Sequence, residues 1–278
     1  MGFWTDKSIV VTGGSSGLGL ALSRLFVARG AKLTIVARDK SRLESAVVSL
    51  RQQQPDSQIA IHSADVCVGD EAQLAIQSVV DRQGRIDALV NCVGASTRCD
   101  LVHATPDQFR TQLEVNFMSA VNCTQASLSH LIPQRGCIIN VNSLAGKTAW
   151  PFMAPYAASK SALQAYSNQL RLELSGRLHV LSVFPGPIRR EVAGNRYVAE
   201  SQGLPSQAKL PGAGAPFKGI DPDLLANKIL RACERGKFEL IVPSSARLLF
   251  VAAAISPRFG DWLIRRFTNK TGNAPSPD

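Results

Sequence analysis

A tyrosine and a lysine lie four residues apart in the segment YAASK, residues 156–160. Residues at this spacing share one face of an α-helix, and the pattern predicts a helix that contains both and runs to Ser175. A phenol titrates near pH ~10, but a neighbouring cation favours the phenolate; lowering the pKa by about three units requires roughly 4 kcal/mol. Exposed helices carry many such pairs, so the spacing is only a first indication that Tyr156 transfers a proton with help from Lys160.

A serine stands near the end of a predicted strand. Ser143 follows the apolar segment Cys137–Val141. Ligands of open α/β sheets bind outside the carboxyl ends of the strands. Ser143 is therefore expected at an edge of the sheet where a substrate binds.

A glycine-rich turn near the start of the chain has the context of a dinucleotide site. The strand predicted over Ser8–Val11 runs directly into TGGSSGLG, residues 12–19, where a helix begins. Gly13 suits the turn, Gly17 lets the backbone approach a pyrophosphate, and Gly19 allows the helix to touch the sheet. The first helix turn adds unpaired N–H groups and a positive dipole end. The predicted contacts are Gly13, Ser15, Ser16, Gly17, Leu18 and Gly19.

The end of the second predicted strand indicates which dinucleotide binds. NAD-selective sites place a carboxylate there, against the ribose 2′-hydroxyl. In this sequence Ala37 occupies that position and Arg38 follows it. A guanidinium holds a 2′-phosphate through a forked, charge-assisted contact, which favours NADP(H) over NAD(H). Asp39 is the opposing signal, and we interpret it as the N-cap of a helix that begins near Lys40.

The elements that position these residues alternate between strands and helices. Short runs rich in Val, Ile and Leu, without polar alternation, predict strands covered on both faces. Helical segments such as Leu18–Arg29 and Leu74–Gln83 separate them, which predicts an α/β fold: a Rossmann-type doubly wound parallel sheet of about seven strands in a single domain. The predicted strands are Ser8–Val11, Leu33–Ala37, Ile59–Ser63, Ala88–Asn91, Cys137–Val141, Val180–Phe184 and Phe238–Val242.

A segment of little periodicity interrupts this alternation between Gly186 and Asp221. It is rich in glycine and proline and follows the carboxyl end of a strand, and long structureless segments of this kind are usually functional. We predict a substrate lid at about 186–221; a plain surface insertion is the alternative. A helix at Asp223–Arg235 follows, so residues 1–245 form the predicted catalytic domain and residues 246–278 a C-terminal extension.

Composition and charge restrict the function classes. The chain carries 31 Lys and Arg against 21 Asp and Glu, a formal net charge of +10, but it lacks the zinc finger, basic arm or aromatic–basic pattern of nucleic-acid binders. Its six cysteines form no CxxC pair, and neither they nor the four histidines have zinc-ligand spacing. We therefore predict a cytoplasmic protein with reduced thiols, without a signal peptide, a metal or a nucleic-acid partner.

Taken together, these motifs resemble the short-chain dehydrogenases/reductases over roughly residues 5–242. The matching residues, in order, are Thr12-Gly13-x-x-x-Gly17-x-Gly19, Asp65, Asn91-x-x-Gly94, Asn116, Ser143, Tyr156-x-x-x-Lys160 and Pro185-Gly186. The family moves a hydride between a nicotinamide and a carbonyl or alcohol. The resemblance implies that Tyr156 is the general acid in reduction and that Ser143 hydrogen-bonds the carbonyl oxygen.

The resemblance also implies supporting roles. Lys160 would bind the nicotinamide ribose and depress the Tyr156 pKa, while Asn116 would hold a water that relays protons to Lys160. Asp65 and Val66 are expected to contact adenine, and Asn91 to support the central sheet. Because the family often pairs the helices that carry Asn116 and Tyr156, a homodimer or homotetramer is expected. The remaining cofactor contacts implied are Gly94, Pro185, Gly186 and Ile188.

Two positions depart from the family pattern. Cys92 and Val93 stand in a run that is usually Asn-Asn-Ala-Gly, which changes side-chain size in the cofactor pocket. Arg190 replaces a threonine that usually follows Pro185-Gly186, so one side-chain contact to the cofactor is in doubt. Three positions for Arg190 stay open: against the pyrophosphate, against an anionic substrate group, or in solvent.

These observations predict an NADPH-dependent carbonyl reductase. Trp150 and Phe152 lie between Ser143 and Tyr156, where lining an apolar substrate pocket and simple packing both fit the sequence. Together with Phe217 in the predicted lid, Trp150 and Phe152 indicate that the substrate is an apolar ketone such as a lipid, a steroid or a 3-oxoacyl chain. The alternative function is a non-catalytic NADP(H)-binding sensor or scaffold, which would have no use for the complete catalytic set.

The C-terminal extension contains apolar segments of its own. Leu248–Ile255 is apolar but far shorter than the roughly twenty residues that span a bilayer. After Pro257, apolar residues recur at helical spacing beside basic ones, a composition typical of an interfacial helix. The apolar residues are Phe259, Trp262, Leu263 and Phe267, and the charged ones Arg258, Asp261, Arg265 and Arg266. Two interpretations stay open: peripheral contact with an anionic membrane surface, or packing on the lid or a neighbouring subunit.

Overall fold

The computed structural model describes residues 2–189, 201–215 and 217–269, apart from the side chains of Phe267 and Asn269. Its strands are β1 (Ser8–Thr12), β2 (Lys32–Ala37), β3 (Ile59–Ser63), β4 (Ala88–Asn91), β5 (Cys137–Val141), β6 (His179–Pro185) and β7 (Glu239–Val242). They form one parallel sheet in the order β3-β2-β1-β4-β5-β6-β7. Each predicted strand is confirmed to within one residue at either end.

The order of the strands changes direction between β1 and β4. β1 pairs with β2 on one side and with β4 on the other, so the chain builds outward to β3 and then returns past β1. The loops that follow β1 and β4 therefore diverge and leave a crevice, which is where open α/β sheets bind ligands. The glycine-rich turn borders this crevice.

Helices cover both faces of the sheet. They are α1 (Gly17–Ala28), α2 (Lys40–Gln53), α3 (Gly69–Gln83), α4 (Pro106–Leu113), α5 (Ser119–Leu131), α6 (Ala154–Glu173) and α7 (Pro222–Glu234), with a π-helical turn at Glu114–Met118. The core residues of α1 and α7 pack on one face of the sheet, and those of α3 and α5 on the other. The predicted Rossmann-type doubly wound α/β fold is confirmed.

Helix α3 begins at Gly69, so the prediction of its start at Leu74 was wrong. The missed turn contains Asp70 and Glu71, which the positive end of the helix dipole stabilises but which leave no apolar periodicity. The Glu71 carboxylate also accepts a hydrogen bond from the Asp65 N–H at 2.7 Å. The start of α3 thus fixes the loop after β3.

Two further helices, α8 (Ala246–Ile255) and α9 (Pro257–Asn269), follow β7 and pack together as a hairpin. Gly260 of α9 lies against Ala253 of α8, where a Cβ on Gly260 would stand 2.6 Å from the Ala253 Cα atom. Only glycine allows the two helices to approach so closely. Among the residues that the structure describes, no helix combines the length and apolar character needed to cross a bilayer.

Candidate active site

The turn after β1 depends on glycine at two of the predicted positions. Gly13 has a φ of +68°, and a Cβ there would lie 3.2 Å from the Cys92 backbone. A Cβ on Gly19 would lie 2.1 Å from the Gly13 carbonyl oxygen. Gly19 therefore allows α1 to close onto the turn that directly follows β1.

The mouth of the same turn is open to a ligand. A Cβ on Gly17 would meet no atom of the described chain within 4 Å, and its φ is +52°. Ser16 and Gly17 are exposed, Ser15 is half-buried, and Leu18 is buried in the core. The N-terminal N–H groups of a helix and its dipole attract an anion at this position. The turn therefore has the space and charge that a pyrophosphate requires.

Arg38 and Asp65 meet beyond the carboxyl ends of β2 and β3. The Arg38 Nη1 atom lies 3.6 Å from the Asp65 Oδ2 atom, and the Arg38 side chain is 76% exposed. An exposed ion pair contributes little, so the guanidinium can turn to a ligand. The Asp39 carboxylate accepts a hydrogen bond from the Arg42 N–H at 3.1 Å. Asp39 is therefore the N-cap of α2, as predicted.

Asp65 and Val66 form the loop between β3 and α3. The Asp65 carboxylate accepts a hydrogen bond from the Cys67 N–H at 3.0 Å, and the Val66 carbonyl accepts one from the Asn122 amide at 3.1 Å. Partial burial raises the pKa of Asp65, but the hydrogen bonds from Cys67 and the charge of Arg38 outweigh it and leave that pKa below its ordinary value. Asp65 therefore carries a charge at neutral pH.

A buried chain of polar side chains connects the centre of the sheet to α5 and α6. The Asn91 amide donates to the Thr124 hydroxyl at 3.1 Å and to the Asn140 side-chain oxygen at 2.8 Å. Asn140 in turn donates to the Ser167 hydroxyl at 2.8 Å. Because buried polar groups need partners, this chain holds β4 and β5 in register with both helices. The arrangement fits the supporting role that the resemblance implies for Asn91.

Lys160 extends from α6 towards the end of β5. It is 3% exposed, and its Nζ atom donates to the Val141 carbonyl oxygen at 2.9 Å. Burial lowers the pKa of Lys160 from 10.5 to about 8. The amine is therefore protonated at neutral pH, and its charge acts strongly on neighbouring groups because the surroundings have a low dielectric constant.

Tyr156 and Ser143 are brought to the same edge of the sheet by neighbouring elements. Tyr156 lies in the first turn of α6, one helical turn before Lys160, and its side chain is half-buried. Ser143 is also half-buried, and its Oγ atom accepts a hydrogen bond from the Ala145 N–H at 3.2 Å where a short 3-10 turn begins. The loop after β5 and the start of α6 thus place a hydroxyl, a phenol and an ammonium at one strand end.

Asn116 lies in the π-helical turn between α4 and α5 and is 1% exposed. Its amide donates to the Ala95 carbonyl at 2.9 Å and the Gln112 carbonyl at 3.1 Å, and its Oδ1 atom accepts from the Ala95 N–H at 3.0 Å. A Cβ on Gly94 would lie 2.9 Å from the Asn116 Oδ1 atom and 3.4 Å from the Lys160 Nζ atom. Gly94 therefore lets the loop after β4 pass between these two side chains.

The predicted lid is described in part. Pro185 ends β6, the Gly186 N–H donates to the Val242 carbonyl at 2.7 Å, and Ile188 forms a β-bridge with Ile220. Residues 206–209 form a 3-10 turn, so the expectation that the whole segment lacks structure was wrong; a turn this short leaves no periodicity in a sequence. Arg190, with the residues up to 200 and residue 216, lies outside the described residues.

A cluster of apolar side chains packs beside Tyr156. The rings of Trp150 and Phe217 meet edge to face with centroids 6.1 Å apart. Phe152 joins the cluster with a φ of +61°, a left-handed conformation that is rare outside glycine and is concentrated at functional sites. The three aromatic residues therefore pack together at the position where an apolar pocket was also considered.

The inner face of the C-terminal hairpin covers this cluster. Leu249 of α8 and Ile264 of α9 are buried there, together with Ala213 of the lid. The extension therefore contacts the described part of the segment after β6. Phe259 and Trp262, two members of the expected apolar stripe, are half exposed, and Ile264 lies on the buried side of α9. Apolar residues lie on both sides of α9, so their spacing did not distinguish the inner face from the outer one.

Two residues that the sequence analysis missed hold the site in place. Arg98 is 2% exposed, and its guanidinium donates to the Ala208 carbonyl at 2.9 Å and the Leu210 carbonyl at 3.4 Å. It fixes the described lid segment to the loop after β4. A Cβ on Gly146 would lie 2.9 Å from the Lys160 carbonyl oxygen, so this glycine lets α6 pack on the loop after β5. An isolated arginine and an isolated glycine belong to no spacing motif.

Comparison with known proteins relates the same part of the chain to an enzyme family. The family model described as short chain dehydrogenase matches residues 7–200. A protein of Arabidopsis thaliana named 11-beta-hydroxysteroid dehydrogenase 1A is 30% identical over 275 residues, which cover 98% of this chain and 78% of that protein.

Solved structures show the same fold. A short chain dehydrogenase/reductase from Burkholderia phymatum in complex with NAD gives a TM-score of 0.79 at 19% identity, over 100% of this chain and 99% of that one. An actinorhodin polyketide ketoreductase with NADPH gives a TM-score of 0.73 at 23% identity, over 87% of this chain and 97% of that one.

Proposed function

The chain belongs to the short-chain dehydrogenase family, and on that premise we propose that it is an NADP(H)-dependent reductase of apolar ketones in which Tyr156 donates the proton. The observation that carries the proposal is the buried ammonium of Lys160, one helical turn from Tyr156 and bonded to the end of β5. Burying a charge is costly, and strongly perturbed buried groups cluster at functional sites, so an ammonium one helical turn from a phenol is a candidate to assist it.

The residues after β1 and β2 suit the cofactor. Gly13, Gly17 and Gly19 form an open cradle that a Cβ would fill or distort, and the start of α1 attracts phosphate there. Arg38 is assigned to the 2′-phosphate because it is exposed and because Ala37 leaves the carboxylate position without a negative charge. When bound, NADPH supplies the hydride that reduces the carbonyl carbon.

The chain's own groups handle the proton. Tyr156 protonates the carbonyl oxygen as that oxygen gains negative charge, and the Ser143 hydroxyl donates a hydrogen bond to the same oxygen. The Lys160 ammonium favours the phenolate that is left on Tyr156. Asn116, held by Gln112 and the backbone of Ala95, is assigned to a water that returns the proton through Lys160.

The apolar cluster beside Tyr156 supports an apolar substrate. Trp150 and Phe217 present aromatic surface between the lid and the C-terminal hairpin. A series of methyl ketones of increasing chain length, assayed by NADPH absorbance, should show kcat/KM rising with length. Trp150→Ala should lower kcat/KM about tenfold for long ketones but little for acetone. Phe3→Ala, which removes an exposed aromatic ring elsewhere, is the control; equal losses for long and short ketones in Trp150→Ala would contradict the assignment.

We further propose that the outer face of the hairpin contacts an anionic membrane. Five large apolar side chains on this face are at least half exposed: Leu248, Val251, Ile255, Phe259 and Trp262. Four exposed arginines lie on the same two helices, and one of them, Arg266, lies 5.4 Å from the Trp262 ring. Aromatic, aliphatic and arginine side chains together favour the lipid–water interface. Because the inner face covers the apolar cluster, this docking would bring lipid-soluble ketones next to Tyr156.

We also propose a homo-oligomer in which the helices that carry Asn116 and Tyr156 pair with those of a second copy, as the family often does. Sedimentation velocity should then give a dimer or tetramer. A monomer at micromolar concentration would contradict this.

A further inference from the structure

Three side chains with metal-binding chemistry meet at the amino-terminal edge of the sheet, opposite the edge that carries Tyr156. Cys137 is the first residue of β5, His179 the first of β6, and Cys233 lies in the last turn of α7. The two Sγ atoms are 2.9 Å apart, and they and a His179 ring nitrogen all lie within 4.8 Å of one another. The three residues are distant in sequence, so only the fold brings them together.

The His179 ring is held as a metal-binding histidine is held. Its Nε2 atom is buried and has no hydrogen-bond partner among the described residues. The ring also forms a hydrogen bond with the Lys237 backbone. Since Nε2 is unpartnered, that bond involves Nδ1. A neutral imidazole with one nitrogen bonded to the backbone and the other one free is typical of metal ligands.

A cavity of about 300 Å³ leads from the surface to all three side chains. Lys7, Asp87, Arg135 and Glu234 also line it. The two carboxylates are already bonded, Asp87 to the Ser8 N–H at 2.9 Å and to Arg85, and Glu234 to the Trp4 indole at 2.7 Å and to Arg29. The cavity therefore gives an ion a path to the site and supplies water as a further ligand.

We propose that Cys137, His179 and Cys233 bind one divalent ion of the zinc class, with a water molecule as the fourth ligand. Two thiolates and one imidazole are the donors that a tetrahedral zinc ion prefers. Thiolates about 2.3 Å from such an ion lie about 3.8 Å apart, so the two sulfur atoms separate by about 1 Å on binding. Each thiol releases its proton to solvent and keeps the electron pair that bonds the ion.

The ion would stabilise the fold and leave the chemistry at the other edge unchanged. It would join the starts of β5 and β6 to the end of α7, three elements that are distant in the chain. This assignment departs from the sequence analysis, which expects no metal. A disulfide between Cys137 and Cys233 is the competing arrangement: two thiols would lose two protons and two electrons to an oxidant. His179 would have no part in a disulfide, whereas it supplies one of the three donors to a bound ion.

Cobalt(II) titration of the chelator-treated, reduced protein tests the site. We expect one Co²⁺ per chain, a thiolate-to-cobalt charge-transfer band, displacement by Zn²⁺, and a Tm that rises with added Zn²⁺. Cys233→Ala and His179→Gln should each lose the band or shift it and lose the rise in Tm. Cys123→Ala, which removes another buried helical thiol, should keep both.

Two results would overturn the proposal. One is a reduced wild-type protein that gives no charge-transfer band, or the same band in Cys233→Ala as in the wild type. The other is a Cys137–Cys233 disulfide, detected by mass spectrometry in protein purified and alkylated without air. NADPH-dependent ketone reduction should persist in His179→Gln, so failure of the metal site and failure of the proposed enzyme activity are distinguishable.

Discussion

Replacing Lys160 with methionine is expected to stabilise the cofactor-free protein while removing its activity. The ammonium is 3% exposed, and burial lowers its pKa from 10.5 to about 8. At pH 7 the native state therefore carries a charge that costs about 3 kcal/mol relative to the unfolded chain. Lys160→Met removes this cost and so stabilises the protein. It also removes the hydrogen bond to the Val141 carbonyl, which offsets about 1 kcal/mol of that stabilisation. The net increase in the free energy of unfolding is about 2 kcal/mol.

The effect has a definite pH dependence. Below pH ~8 Lys160 is protonated in both the native and the unfolded state, so the full free-energy cost of burying its charge destabilises the wild type. Between the native pKa of about 8 and the unfolded value of 10.5, the unfolded state binds more protons, and the wild type gains stability as pH rises. The advantage of Lys160→Met should therefore shrink to about zero at pH ~10.

Urea unfolding of both proteins at pH 7 and pH 10 measures this difference, since all other titrating groups are shared. Lys147→Met is the matched control, because Lys147 lies in the loop after β5, is also largely buried at 15% exposure, and pairs with Glu239 at 2.5 Å. It should destabilise the protein. The reasoning would be refuted if Lys160→Met unfolded at a lower urea concentration than the wild type at pH 7, or if its advantage were the same at both pH values.

Three further perturbations test the cofactor, membrane and packing assignments. Arg38→Ala should weaken NADPH binding by about 1–3 kcal/mol and NADH binding little, measured by fluorescence titration; tighter wild-type binding of NADH than of NADPH would contradict this. Wild-type protein and Leu74→Glu should sediment with anionic vesicles at low salt and Ile255→Glu should not; equal sedimentation of all three excludes the hairpin face. Gly94→Ala should lower kcat at least tenfold, because its Cβ would stand 2.9 Å from the Asn116 Oδ1 atom; an unchanged kcat would show that this contact relaxes freely.

Much of the fold was predictable because buried parallel strands leave a simple signal. Each strand is a short aliphatic run, and the helices between them force parallel crossovers. The signal fails where helix starts are polar, as at Asp70 and Glu71, and where turns are shorter than a helical period, as at residues 206–209. It also fails for α9, where apolar residues on both sides obscure which one faces the core.

The candidate site was predictable where its residues lie close together in the chain. The glycine turn and the Tyr156–Lys160 pair are local patterns with a direct structural meaning. Arg98 and Gly146 act through partners that the fold supplies, the carbonyl of Ala208 and the backbone of α6, so nothing in the sequence distinguishes them. The cluster of Cys137 with His179 and Cys233 likewise exists only once β5, β6 and α7 are assembled.

The central claim is that Tyr156 supplies the proton for ketone reduction, and the variant Tyr156→Phe tests it most directly. The substitution removes one hydroxyl and keeps the ring in its half-buried position on α6. NADPH affinity, measured by fluorescence titration, should stay within a few-fold of the wild type, while kcat falls by about two to four orders of magnitude. A kcat within tenfold of the wild type, on any ketone that the wild type reduces, would remove Tyr156 from the mechanism.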